Sequence, residues 1–471
     1  MFVGDDGKNL VFTFILVSSL FLLWGFCNGM IDVMDKHFQE ELNLNKAQSA
    51  WVQFAHYLGY FLMSLPAGWL ASKLGYKGGI IAGLLLVAIG GLWFIPATRI
   101  NALVHQGAVS STTAFVAFLA GVCVIATGLT FLETIANPYT TVLGAKRYAA
   151  TRINLAQSCN GVGWIFGPIV GSLFFYSKDA AGRSTGSETL YIPYASVAVV
   201  VIVLAVIFYF ANIPDIKTED EYHLDDQSAT VSHSIWSHPH FVMAVAAQFF
   251  YVAAQAGIFS FFINYMTSEV PPIPSSWEAA MPRASAEAGF FNSWLSGWFE
   301  TSPQGILTIS NKGASNLASL GFVFFLLGRF SGAGLLKRFA ANKILALYAV
   351  VNVGATVLIF LKLGWLSVVC VFLSYFFMSI MFPTIFALGI FGLGARAKKA
   401  SAFIVMAIMG GAILPKLMGW VADKYDMSRG FIVPSACFCF VALYGFMWPR
   451  LSGASSAPGE QSRQLSAANR H

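Results

Sequence analysis

A carboxylate inside an apolar run sets the chemical question for this chain. Glu133 lies in GLTFLETIANP, between residues that otherwise suit a hydrocarbon environment. An ionised side chain at the centre of a bilayer costs at least about 2.5 to 3.5 kcal/mol, so such a residue needs a water-filled cavity, a partner or a proton. A carboxyl that takes up and releases a proton in such a place can couple proton movement to another event; a permanently protonated one can act as structural glue. Asn137 follows one helical turn later on the same face, and Pro138 loosens the helix there. A second acid, Asp32, shares a face with Asn28 in WGFCNGMID. Asp35 and Lys36 follow at once, which leaves Asp32 open between a cavity position and the membrane interface.

Amides supply the next constellation. Asn154, Gln157 and Gly161 recur at i, i+3 and i+7, and Gln248, Tyr251 and Gln255 repeat that spacing in a later segment. An amide both donates and accepts hydrogen bonds, which is what the hydroxyls of a polyol require. Bonding between helices is the competing use of each amide. Trp24, Phe259 and Phe382 lie near these stripes in sequence and offer aromatic faces to the apolar side of a sugar ring, or simply to the core.

The elements that must position these residues follow from composition. The 471 residues are 57% hydrophobic and only 11% charged, and the mean hydropathy is +0.67. Too few charges are present to cover a soluble globule of this size, so the chain is a polytopic membrane protein. Twelve apolar spans are marked at about 10–34, 49–72, 79–98, 113–142, 153–176, 191–212, 241–266, 313–336, 343–361, 364–393, 400–421 and 431–449. Each must satisfy its backbone internally and is expected to be a helix, and the alternating pattern of a membrane β-barrel is absent. The first run is too long for a signal-peptide core and reads as a retained span. Cys27, Cys123, Cys159, Cys370, Cys437 and Cys439 all fall in the spans and read as small buried apolar residues without disulfides.

Charge sets the expected orientation. Lys73 and Lys77, then Lys146, Arg147 and Arg152, then Lys337, Arg338 and Lys343, then Arg396, Lys398 and Lys399 occupy alternate short loops. The positive-inside rule makes these loops and both termini cytoplasmic, which accounts for the net charge of +6 without a nucleic-acid partner. The expected organisation is an N-terminal six-helix bundle over 1–212, a charged cytoplasmic linker over 213–240, a C-terminal six-helix bundle over 241–450 with a long, loosely ordered external loop at 267–312, and a disordered cytoplasmic tail over 451–471. The loop's Trp277, Trp294 and Trp298 could rest on the membrane interface.

An internal repeat supports two pseudo-symmetric halves. Pro138 with Leu143-Gly144 is matched by Pro383 with Leu388-Gly389 at an offset of 245, and Gly163 with Pro168 by Gly410 with Pro415 at 247. Gly68 and Lys77 are likewise matched by Gly334 and Lys343. Met378 stands where the repeat would place a second Glu133, so the carboxylate belongs to one half. Two parallel halves with a site between them describe alternating access.

With these segments in view, the chain resembles the major facilitator superfamily, and within it the fucose permease group of fucose, galactose and glucose proton symporters. The resemblance rests on WGFCNGMID, LPAGWLASKLGYKGGIIAG, FLETIANPY, RINLAQSCN, MFPTIFALGI and SAFIVMAIMGG. It implies the major facilitator fold: an all-α membrane protein of twelve transmembrane helices in two six-helix bundles. It also implies that Asp32 and Glu133 are the proton-coupling carboxylates, and that Asn28 and Gln157 meet the sugar. Ile31, Phe259 and Phe382 stand where a fucose-specific member would carry Asn, Trp and Tyr, which leaves other hexoses open.

The expected function is a proton-coupled symporter importing a monosaccharide, a hexose or a 6-deoxyhexose such as L-fucose, galactose or glucose. Asn28, Asn137, Asn154, Gln157, Tyr251, Gln255, Trp24, Phe259 and Phe382 are the candidate sugar contacts. Gly68, Lys73 and Lys77 form the candidate gating loop. The coupling ion is H+, with Na+ the alternative; a facilitative carrier and a non-transporting sugar sensor are the remaining readings. No enzyme is expected, because the short loops hold no nucleophile and base, and no cofactor or metal is expected, His238 and His240 being a weak pair. The partners are the sugar, the proton and the bilayer of a bacterial inner membrane, around a monomer.

Overall fold

The computed structural model describes residues 2, 9–144, 149–176, 186–213, 234–279, 294, 296–302, 305–336, 338–391, 393 and 397–453. Most of the expected linker and all of the tail beyond Gly453 therefore lie outside the described residues, as do Lys146, Arg147, Lys337 and Arg396.

The chain folds as helices because its apolar runs are long and uninterrupted by turn chemistry. The N-terminal half comprises α1 (Val11–Glu41), the short α2 (Lys46–Ser49), α3 (Trp51–His105), α4 (Ser111–Val142), α5 (Ala149–Phe174), the single turn α6 (Gly186–Thr189) and α7 (Tyr191–Phe210). The C-terminal half begins with α8 (Pro239–Ser260), which has proline at its start where the missing N–H costs nothing. After it come α9 (Phe262–Ser268), α10 (Ser275–Ala279), the strands β1 (Phe299–Thr301) and β2 (Leu307–Ile309), α11 (Asn311–Leu336), α12 (Ala341–Phe360), α13 (Trp365–Met378), α14 (Met381–Ile390), α15 (Ala397–Met406), α16 (Gly410–Lys424), α17 (Met427–Gly430) and α18 (Ile432–Ser452).

Ten of the described helical segments are long and apolar enough to cross a membrane. The first part of α3 and the amide-bearing α5 fall below that measure because they carry polar residues, and they complete the twelve. The segment α3 holds two helices, one for each of two expected spans; they meet at Gly75, whose non-helical φ of 70° and ψ of 177° make the tight turn between them. The expected span at 364–393 is broken between α13 and α14 at Ser379-Ile380.

Helix α1 packs along α5, and α3 along α4 and α7; in the other half α8 packs on α16 and α18, and α12 on α13 and α18. The α1–α5 contact is close because glycines line it. A Cβ built on Gly163 would run into the Leu22 carbonyl, and one on Gly25 into the Asn160 carbonyl, so neither position accepts a side chain.

Three seams join the halves: α5 with α11, α2 and α3 with α16 and the α15 segment before it, and α1 with α8 and α9. Among the described residues the polar bonds across these seams gather at one end of the bundle, opposite Val11 and Ser452. Gln39 and Asn264 exchange hydrogen bonds of 3.3 and 2.5 Å, and Asn311 donates to Glu40 at 2.6 Å. Asp423 on α16 accepts from the backbone amides of Lys46 and Ala47 at 3.0 and 2.9 Å, capping α2 of the opposite half. This distal end is closed.

The long segment expected as a loosely ordered loop has structure of its own where it is described. β1 and β2 form an antiparallel hairpin with Glu300 opposite Thr308, and Trp294 donates to Asn316 at 2.7 Å. Trp277 packs against Trp365 at 5.5 Å. Nearby, Lys362 bridges Glu269 and Asp426 at 3.3 and 3.0 Å. Partial burial opposes its charge, but the Asp426 and Glu269 carboxylates overcome this and hold Lys362 above the usual lysine range.

Candidate functional site

The middle of the N-terminal half gathers several of the singled-out residues. Glu133 on α4 is half-buried and lines a narrow crevice with Leu20, Phe21, Trp24, Leu132 and Ala136. Among the described residues no hydrogen bond or ion pair reaches its carboxylate. One turn on, the Asn137 amide donates to the Glu133 carbonyl at 3.0 Å and accepts from Gln157 of α5 at 3.0 Å. Pro138 cannot donate to the helix ladder at this turn, and the Asn137 side chain binds the backbone in its place. Glu133, Asn137 and Gln157 thus form one polar strip where α4 meets α5.

Asp32 lies well inside α1. The helix runs on for nine residues to Glu41, about 14 Å at 1.5 Å per residue. Its side chain is 6% exposed; Gln53 of α3 donates to Oδ1 at 3.1 Å, and Oδ2 is buried without a partner. The buried Asn28 Oδ1, one turn earlier, is also unpartnered.

An aromatic strip on α3 connects the two acids. Tyr57 lies within electrostatic range of both Asp32 and Glu133, and Tyr60 within range of Glu133. Trp24 donates to the Tyr60 hydroxyl at 2.6 Å. His56, 5% exposed with Nδ1 unpartnered, packs on the Tyr57 and Tyr60 rings at 5.0 and 4.9 Å. Gln53, His56, Tyr57 and Tyr60 were not expected from sequence. Their i, i+3, i+4, i+7 spacing was a usable signal, hidden because His and Tyr in an apolar span resemble core.

The C-terminal half contributes apolar surface. Tyr251 is buried and donates to the Met378 carbonyl at 3.0 Å, with its ring 6.4 Å from Phe382. Phe259 does not border the Glu133 crevice; it sits 4% exposed in an aromatic cluster with Trp164, Phe322 and Tyr375 at 5.7, 4.9 and 4.6 Å. Trp164 brings that cluster across the seam from α5. Gln248 is fully buried with both amide atoms unpartnered, and Gln255 is half-buried. The Asn154 side chain lies outside the described residues.

The candidate gating loop is a tight turn at Gly75. Gly68, Lys73 and Lys77 are all within α3, on either side of the Gly75 turn, because the short connection never leaves helical geometry for more than that residue. Lys73 lies over the Trp69 ring at 4.1 Å. Lys77 donates to the Ala211 carbonyl at 2.9 Å, in its own half. Of the histidine pair, His240 is engaged with the Phe391 carbonyl at 2.9 Å, and no cluster of metal-ligating side chains occurs among the described residues.

Two helical bundles meeting along three seams, with acids and amides held inside their apolar helices, have the make-up of a multi-pass membrane transporter. The chain belongs to the Major Facilitator Superfamily, whose family model matches residues 13–388. It is 31% identical over 461 residues to the L-fucose-proton symporter of Escherichia coli (strain K12), covering 94% of each chain. It is also 31% identical over 444 residues to the glucose/galactose transporter of Brucella abortus biovar 1 (strain 9-941), covering 93% of this chain and 95% of that one. The crystal structure of the transporter FucP in the outward conformation superposes with a TM-score of 0.63 at 31% identity, over 93% of this chain and 99% of that one.

Proposed function

We propose that the chain is a proton-coupled symporter that imports a monosaccharide, a hexose or 6-deoxyhexose such as galactose, glucose or L-fucose, across a bacterial inner membrane. The observation that carries this reading is the Glu133 carboxylate beside the Asn137–Gln157 pair. A titratable group without a charge partner adjoins amides able to bind hydroxyls, in a chain similar along its length to proton and sugar carriers.

In this mechanism Glu133 takes a proton, with Asp32 as the second coupling acid, when the site faces outside. The sugar binds between the halves against Gln157, Asn28, Asn137, Asn154 and Gln255, with Trp24, Tyr251, Phe259 and Phe382 supplying aromatic surface. Neutralising Glu133 removes the cost of closing apolar surface around a charge, so the loaded carrier rocks inward. Proton release to the cytoplasm resets it.

The termini and the Lys73–Lys77 turn are assigned to the cytoplasm, which makes the closed distal end external. The units are taken as 1–212, a linker at 213–240, 241–450 and a tail at 451–471, in a monomer. The test is uptake of a panel of labelled monosaccharides into proteoliposomes with proton and sodium gradients imposed separately. Accumulation driven by the proton gradient alone is expected. Uptake driven by sodium and indifferent to pH, uptake that only equilibrates, or binding without uptake would each replace the reading.

A further inference from the structure

Helix α1 carries an acid that this transport mechanism does not use. Asp35 is 0% exposed, and neither of its carboxylate oxygens has a hydrogen-bond partner among the described residues. The group facing it across the seam between the halves is Ser260, the last residue of α8, also 0% exposed and with its hydroxyl unpartnered. An acid and a hydroxyl are thus brought together, both buried, by the packing of α1 on α8.

Among the described residues, none of the groups around Asp35 is placed to balance a charge on it. On its own helix Asp32 is another acid, Lys36 is paired with Glu40 at 3.2 Å, and His37 packs against the Phe175 and Tyr176 rings at 5.9 and 6.3 Å. Tyr176, just beyond α5, comes within range of Asp35, but its hydroxyl donates to the Val33 carbonyl at 2.7 Å. From α3, Gln53 and Tyr57 address Asp32; from α9, Asn264 is tied to Gln39; from α4, Glu133 faces the crevice at Trp24. An ionised, unpaired carboxylate in this seam would carry an uncompensated desolvation cost. A protonated one has an O–H to donate to Ser260.

We propose that Asp35 is a proton-binding gate residue of the distal seam: α1 closes on α8 when Asp35 carries a proton, and loss of that proton to water favours reopening. The step is proton binding to a carboxylate and its reversal, distinct from the proton assigned to Glu133. Only the naming of the distal side as external rests on the transport reading.

The test uses the full-length protein in lipid nanodiscs, without sugar or a gradient, so it is independent of whether proton-driven sugar uptake occurs. Hydrogen–deuterium exchange is followed over residues 30–42 and 260–268 from mildly acidic to mildly alkaline pH, corrected for intrinsic exchange. In the unmodified protein exchange at both segments is expected to rise several-fold with pH. Asp35→Asn should remain protected throughout, while Glu133→Gln retains the rise. A flat profile in the unmodified protein, or an unchanged rise in Asp35→Asn, overturns the proposal. So does a rise at fixed pH that sodium, but not potassium, suppresses, because the neutralising ion would then be sodium. Ser260→Ala keeps the question decidable if Asp35→Asn does not fold. Losing the acceptor should move the transition to lower pH by up to about one unit, the equivalent of one hydrogen bond, and an unmoved midpoint counts against the assignment.

Discussion

Gln157 and Glu133 do different work in the proposed cycle, and their substitutions should separate. Gln157 is held by Asn137 at 3.0 Å and contributes a neutral amide, so Gln157→Ala is expected to weaken sugar binding about 2- to 10-fold, the range of one neutral hydrogen bond. Titration of purified protein by calorimetry or tryptophan fluorescence measures this; unchanged affinity at normal expression removes Gln157 from the sugar site. Glu133→Gln keeps the shape and removes the titration. It is expected to bind sugar but lose accumulation against a gradient, seen as proteoliposome uptake that stops at equilibration under an imposed proton gradient. Continued accumulation would take Glu133 out of the coupling step. Glu133 was legible in the sequence because a charge in an apolar run is conspicuous. Asp35 was not, since its neighbours Lys36, Glu40 and Glu41 resemble a solvated helix end. Only the length of α1 and the arrival of α8 put it in a buried seam.

Helix α2 has only four residues and depends on its caps. Asn45 caps it from within, accepting from Gln48 at 2.7 Å, and Asp423 caps it from the other half. A cap is worth about 1 kcal/mol, roughly a fivefold change in an equilibrium, and this one exists only when the distal end is closed. Asp423→Ala is therefore expected to shift the population about fivefold toward the distally open form. Distances between spin labels on α2 and α16 would report it, as a gain in the longer distance. An unchanged distribution would mean the cap is incidental. Periodicity, length and the repeat made the spanning helices readable, and the Gly68–Lys77 segment announced itself as a connection. The joining of two spans through Gly75, the break between α13 and α14, and the caps made in trans were not readable, because each is decided by contacts between segments far apart in sequence.

Across the whole molecule, the three seams make the distal end a clasp, and alternating access requires that it open once per cycle. The Gln39–Asn264 exchange lies on the α1–α9 side of that clasp, away from the Glu133 crevice, so tethering there tests the motion without touching the candidate sugar contacts. Two full side chains span the gap between the backbones. A short bifunctional thiosulfonate reacting with the double variant Gln39→Cys, Asn264→Cys should bridge it. The native cysteines fall in the spans, and none is paired. The same reagent applied to the unmodified protein therefore provides the background. Cross-linking is expected to abolish net uptake while leaving the fold intact by size-exclusion profile, and reductant should restore it. Either single variant should transport normally with the reagent present. Full transport by the cross-linked double variant would show that the halves do not part at this seam, and the path of the sugar would then have to be sought along α5 and α11 instead.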